Sequence, residues 1–335
     1  MRRAWAAWVA LTSRRETGEA LALFRICVGV GILLTVGWAV LADLVGAIWL
    51  GIEHGGYREL TSHPHWVRWL GGLTPGLVWT LVVISLAGGA CLVTGFGGRL
   101  SAAVTWQALW TLLRINTLAG GDYELLLSNS LWLLVLGDGC ATWSLDCKLR
   151  TGRWSSDRTV GAWARYLVIT QCVIMYTTTG LQKSGGQWTP AGDFSALYFV
   201  LRDITWNRVD LPWLGSIYGL TQLATASSWL FEISWALLPL VLYARATGRT
   251  GGVYRWLNRY DLRWCFVLGG LLLHAGITLA LEVATFGWVS ISFYPCLFAP
   301  AELRRWAERG ASRLRGLVRS RVPAPATGVS RARTT

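Results

Sequence analysis

Charge is what this sequence has least of. Only 15% of its 335 residues are Asp, Glu, Lys or Arg, where a soluble domain carries about 25%. Acidic residues are the scarcer kind, 18 against 31 basic ones. Histidine occurs four times, and the seven cysteines (Cys27, Cys91, Cys140, Cys147, Cys172, Cys265 and Cys296) contain no CxxC pair. All seven fall in apolar runs or in segments that the charge pattern assigns to the cytoplasm. Neither a disulfide framework nor a metal site is therefore expected. No internal repeat is evident. The short apolar stretch over residues 4–11 is closed by Arg14 and Arg15 with no small-residue cleavage site. That argues against a signal peptide and for a basic, interfacial N-terminal segment over residues 1–18.

Hydrocarbon takes the place of charge. The chain is 53% hydrophobic with mean hydropathy +0.41, and its apolar residues come in blocks of roughly 17 to 25, enough to cross a bilayer core. Its 22 tryptophans suit the membrane–water boundary. This pattern predicts an all-α, multi-pass transmembrane bundle of about eight spans. They lie near residues 20–43, 76–96, 99–117, 123–139, 162–182, 218–243, 264–283 and 285–300. Together they form one membrane domain over residues 19–300, with Trp-, Gly- and Pro-rich loops at 44–75 and 183–217 covering its outer face.

The basic residues orient the bundle. With the N-terminus in the cytoplasm, 24 of the 31 Lys and Arg fall in inside segments and five outside, while Arg25 and Arg114 lie within spans. Such a bias is the positive-inside rule at work, and it predicts that both termini are cytoplasmic. It also accounts for the net charge of +13 without nucleic acid. The tail over residues 301–335 begins as a basic helix suited to lie on an anionic leaflet and ends in a polar, partly disordered stretch.

Ionisable groups inside a bilayer are costly unless paired or hydrated, which makes each one a functional candidate. They are Arg25, Arg114, Asp122, Lys183, Glu232, His274 and Glu282. Arg25 lies about one turn into the membrane from the cytoplasmic side, where an ion pair with Asp146 of "WSLD" would tie two helices together. Arg114 and Asp122 flank the outer turn "RINTLAGGDYE", Lys183 ends the fifth helix, and Glu282 ends the seventh. His274 is eight residues before Glu282 and within about 80° of the same helix face. These groups are expected to converge on one outward-facing cavity, with Glu232 joining them or pairing elsewhere. Lys183 has two readings: an anchor that snorkels to the interface, or a desolvated amine held for proton transfer.

Four stretches, taken in order, resemble the HTTM family of bacterial membrane proteins. They are "LALFRICVGVGILL" (21–34), "LAGGDYELLLSNSLWLLVLGDGCATWSLD" (118–146), "YTTTGLQKSGGQW" (176–188) and "LLLHAGITLALEVATFGW" (271–288). That family shares its membrane domain with the vitamin K-dependent gamma-glutamyl carboxylase. The resemblance implies that Lys183 matches a lysine that deprotonates reduced vitamin K, and that His274 matches a histidine of the same site. The quinol then reacts with oxygen to give the strong base that prepares a glutamate for carboxylation. Three departures stand out. Gln182 replaces the first of two adjacent lysines, Asp122 aligns with a supporting histidine, and the large lumenal domain that grips protein substrates has no counterpart here.

The leading expectation is thus a bacterial inner-membrane enzyme that uses reduced vitamin K or another quinol at its outer face. Lys183 would be the base, His274 and Asp122 would orient it, and Arg114 and Glu282 would bind a small carboxylate or a secreted peptide. A non-catalytic accessory protein for maturation or export of a secreted peptide is the alternative. A small-molecule transporter is the third reading, weakened by the lack of paired discontinuous helices.

Overall fold

The computed structural model describes residues 2–60, 64–209, 213, 216–248 and 250–321, and it is 73% helical. The principal helices are α1 (Arg2–Thr12), α2 (Glu19–Leu41), α3 (Pro75–Thr94), α4 (Gly98–Ile115), α5 (Asp122–Leu136) and α6 (Ala162–Gln182). They continue as α7 (Tyr218–Ser234), α8 (Leu238–Thr247), α9 (Arg263–Ala280), α10 (Phe286–Ile291) and α11 (Pro300–Arg321). A two-stranded antiparallel ribbon, Arg15–Thr17 against Thr159–Gly161, clips the approach to α2 onto the approach to α6.

Among the described residues, four helical stretches are long and apolar enough to cross a membrane: α2, α3, the joined α7–α8 rod and α9. Helices also form where the other spans are predicted, with one difference. The stretch over 285–300 is two short pieces, α10 and a 3₁₀ turn at Tyr294–Leu297. Pro295 has no N–H to return to the carbonyl of Ile291, so the chain tightens there. Pro239 acts likewise in the α7–α8 rod. The Trp235 carbonyl has no donor four residues on, and Leu238 N–H bonds it instead in a 3₁₀ turn.

Helix α2 is the axis of the bundle. Leu21, Phe24, Val28, Ile32 and Val36 are buried, at the three- and four-residue spacing of one helix face. Its closest neighbour is α3. A Cβ on Gly29 would lie 2.8 Å from both the Gly89 carbonyl oxygen and the Val93 nitrogen, so the two backbones touch through small residues, as membrane helices commonly do.

Arg25 fixes the lower end of that contact. It is buried and does not pair with Asp146, contrary to the expected ion pair. Its Nη1 donates to Leu92 O and to Val93 O, the latter at 3.3 Å, in the last turn of α3. Nε donates to Gly139 O at 2.9 Å and Nη2 to Trp143 O at 2.7 Å. The final carbonyls of a helix have no intrahelical donor and carry partial negative charge, so Arg25 meets their need directly. Asp146 serves another terminus, accepting from Gly97 N at 3.1 Å.

Helix α11 does not merely rest on a surface. Arg304 bonds the fully buried Glu19 (Nε–Oε1 2.7 Å) and also reaches Asp157. Glu302 takes two hydrogen bonds from Arg263, at 2.7 and 2.9 Å, and Trp306 packs on Phe298 and Trp264. Farther along, Arg305, Arg309 and Arg313 are at least partly exposed. The expected surface helix is thus latched to the bundle by its first two turns, because its acidic partners sit at the bundle end. The polar stretch after Arg321 lies outside the described residues.

Two predictions follow from this packing. Gly29→Leu should drive α2 from α3 at a cost of about 1–3 kcal/mol, read as a lower melting temperature in detergent. Arg263 donates to the Glu302 carboxyl and holds it at about 2, below its ordinary 4.5. Its contribution is present above about pH 4.5 and lost as pH falls toward 2. Melting temperature should fall over that window, and less steeply in Glu302→Gln.

Candidate functional site

One face of α6 carries Tyr176, Gly180 and Lys183, spaced four and then three residues apart, which aligns them along the helix. Gly180 lets α7 approach closely: a Cβ there would lie 2.9 Å from Ile233 N and 3.0 Å from Glu232 Cβ. The facing stretch of α7 and the turn after it present Glu232 and Trp235, again three residues apart. The sequence thereby brings two charges and two large rings together at one small residue.

Lys183 caps the end of α6. Its Nζ donates to Glu232 Oε1 at 2.6 Å and stands 4.4 Å from the centroid of the Trp188 ring. Glu232 is 5% exposed, and its second oxygen has no hydrogen-bond partner among the described residues. The residue left open between two roles in the sequence is therefore the partner of Lys183. Asp122, expected to orient the lysine, is an exposed residue at the start of α5 and makes no ion pair with it. The helix N-terminus offers that carboxylate a favourable dipole instead.

Two turns back along the same face, Tyr176 lies flat on Trp235, with ring centroids 4.1 Å apart and planes at 14°. Its hydroxyl is 2.5 Å from His274 Nε2 and 2.5 Å from the Tyr294 hydroxyl. All four of these side chains are buried. His274 Nδ1 has no hydrogen-bond partner among the described residues.

On its other side His274 borders a cavity of about 900 Å³. Trp38 of α2, Tyr123 and Glu124 of α5, and Trp288 of α10 also line it. A Thr35–Thr285 hydroxyl contact of 2.6 Å ties α2 to the α9–α10 connection at its wall. Glu282 and Arg208 line it too, joined by two hydrogen bonds of 3.0 Å each. Backbone bonds from Arg208 N to Ala280 O (3.0 Å) and from Glu282 N to Trp206 O (2.7 Å) hold that loop against the end of α9.

The single outward hollow expected from the sequence is therefore divided. His274 and Glu282 do share a wall. Lys183 and Glu232 form a separate pair behind it, reached through Tyr176. Arg114 is not at the cavity; it is exposed and stands over Trp110, 5.5 Å from the ring centroid. Arg208, carried by a loop that hydropathy passes over, is the arginine that lines the cavity. Tyr176 and Tyr294 also escaped the sequence reading, since a tyrosine in an apolar run looks like any interfacial aromatic. The alignment of Tyr176, Gly180 and Lys183 on one helical face was the available signal. Among the described residues no group of His, Cys, Asp and Glu has the arrangement of a metal site.

The apolar helices and the buried polar pairs define a multi-helix membrane protein. Residues 14–246 match the HTTM domain. The chain belongs to the HTTM family, related to the membrane domain of the vitamin K-dependent carboxylase. The matched region includes Lys183 and Glu232 and ends before His274. No curated protein and no solved structure matches the chain.

Removing one member of a buried ion pair strands the other, whereas removing both can be nearly neutral. Glu232→Leu and Lys183→Met should each destabilise by about 1–3 kcal/mol, less than a fully buried pair because the lysine is partly exposed. The double variant should recover most of that loss in thermal unfolding in detergent.

Proposed function

We propose that this protein is a quinol-dependent enzyme of the bacterial inner membrane, with both termini cytoplasmic, acting on a substrate at the outer face. The observation that carries this reading is the cavity. Its volume lies within the range of about 300–1,000 Å³ usual for small-molecule sites, and its wall joins aromatic rings to a few polar groups, as such sites do. The unpartnered Nδ1 of His274 gives a ring-borne oxygen a group to meet, so the residues present fit a quinol. Trp38 and Trp288 would flank its ring. When bound, a quinol would supply the reducing equivalents that turn oxygen into a strong base.

Lys183 is the proton acceptor in this reading, and Glu232 is what lets it act. At 2.6 Å, the Nζ proton can pass to Oε1, leaving a neutral amine beside a carboxylic acid with no change in the pair's net charge. The amine, which does not line the cavity, would then accept a proton from a substrate that reaches the partly exposed side of Lys183. Trp188 beside the amine and the burial of Glu232 strengthen each of these interactions. Arg208 at the cavity wall is the group suited to a substrate carboxylate, the part first given to Arg114.

The test uses the full-length protein in nanodiscs with reduced vitamin K, oxygen, labelled carbon dioxide and a glutamate-containing peptide. Wild type should incorporate label, and Lys183→Met and Glu232→Gln should each slow incorporation by about 10²-fold or more. Full activity in Lys183→Met would remove the base from this account. An inactive wild type would favour a second reading, an accessory protein for peptide maturation or export. The Lys183–Glu232 contact supports that reading as well, since a buried ion pair can serve only to join α6 to α7.

A further inference from the structure

The hydrogens around Tyr176 can be counted. Tyr294, Tyr176 and His274 form a chain of two short hydrogen bonds in a buried place. Each hydroxyl has one proton to give. The Tyr294 hydroxyl has no hydrogen-bond partner beyond Tyr176 among the described residues. If His274 Nε2 carried a proton, it would donate to Tyr176, and Tyr176 would donate to Tyr294. The last proton in the chain would then be buried with no acceptor, at a substantial cost in desolvation.

The opposite direction satisfies the chain. Tyr294 donates to Tyr176, Tyr176 donates to Nε2, and Nε2 accepts. A neutral imidazole that accepts at Nε2 bears its proton on Nδ1. That atom is buried, has no hydrogen-bond partner among the described residues, and belongs to a residue lining the cavity. A donor left over in such a place needs an acceptor from outside the chain.

We infer that Tyr176 and Tyr294 fix the imidazole of His274 with its proton on Nδ1, and that this N–H receives an acceptor oxygen, a carbonyl or carboxylate, of the molecule bound in the cavity. This rests on the cavity being the ligand site proposed above, and it narrows the ligand's chemistry. Tyr176 is a positioning residue: it does not line the cavity, and it acts by accepting no proton from Nε2, so that Nδ1 is the nitrogen of His274 that bears the proton. Tyr294 closes the chain behind it. Glu282, Arg208 and Glu124 are the charged groups sharing the cavity wall, and none of them hydrogen-bonds the imidazole.

Two measurements on the full-length protein in lipid test this. Nitrogen-15 NMR of histidine-labelled protein, with the His274 signal assigned by its loss in His274→Asn, should show the proton on Nδ1. Tyr176→Phe should remove that preference while the other histidines keep theirs. A proton on Nε2, or on both nitrogens, overturns the inference whether or not any ligand binds.

The second measurement is binding of three two-ring probes: menadione with carbonyl oxygens, 2-naphthoate with a carboxylate, and 2-methylnaphthalene with neither. Asparagine places its amide nitrogen near the Nδ1 position and glutamine near Nε2. His274→Asn should keep affinity for an oxygen-bearing probe within about threefold, and His274→Gln should weaken it about tenfold, the worth of one such hydrogen bond. Neither substitution should alter the affinity of 2-methylnaphthalene. Equal losses in the two variants, or no binding of either oxygen-bearing probe to wild type, would overturn the inference. Binding of 2-naphthoate without menadione would remove the quinol reading and leave the inference standing.

Discussion

A bilayer has no water to offer a polar group, so whatever is buried there must be satisfied by the chain itself. The contact that shows this most fully is Arg25. Its guanidinium is buried near one end of the bundle and bonds carbonyls from the end of α3 and from the 139–143 connection. A charge that would otherwise be among the most expensive residues in the sequence becomes the cap of one helix and the anchor of a loop. The position of α2 between α3 and the later helices is fixed by that arrangement and by the bare backbone at Gly29.

The same rule sorts the remaining polar residues. Glu19 has Arg304, Glu16 has Arg165 at 2.6 Å, and Arg263 has both Asp261 and Glu302. These pairs lie at the end of the bundle where the small ribbon and α11 meet, although the second oxygen of Glu19 has no partner among the described residues. One oxygen of Glu232 and one nitrogen of His274 are likewise buried without a partner among the described residues, as are several hydroxyls. Of these atoms, those of Glu232 and His274 are the ones that the proposed function employs.

The helical architecture was largely legible in the sequence, because apolar blocks are a collective signal that survives uncertainty in any one residue. The candidate site was only half legible. Of the seven candidate residues Arg25, Glu232 and His274 are buried, whereas Arg114, Asp122 and Glu282 are exposed; His274 and Glu282 share a cavity wall, with Glu282 just past the end of α9. Pairing across helices was not accessible in the same way. Lys183 meets Glu232, 49 residues later, and not Asp122, because the choice depends on which helix packs against the Gly180 face of α6. Arg25 was assigned a carboxylate because charge suggests charge, while the structure supplies carbonyls, which no side-chain inventory reveals. Proline explains why the stretch over 285–300 is broken, and Pro295 was visible from the start.

The latch between Arg304 and Glu19 has a consequence for how the molecule is made. The two residues are 285 positions apart, so a carboxylate near the first helix waits for a counter-ion that the ribosome delivers only after every membrane helix has emerged. Until then the bundle carries an uncompensated charge at its base, and its earlier helices are held together without their final clasp. Completion of the fold is in this sense a late event, timed by translation itself.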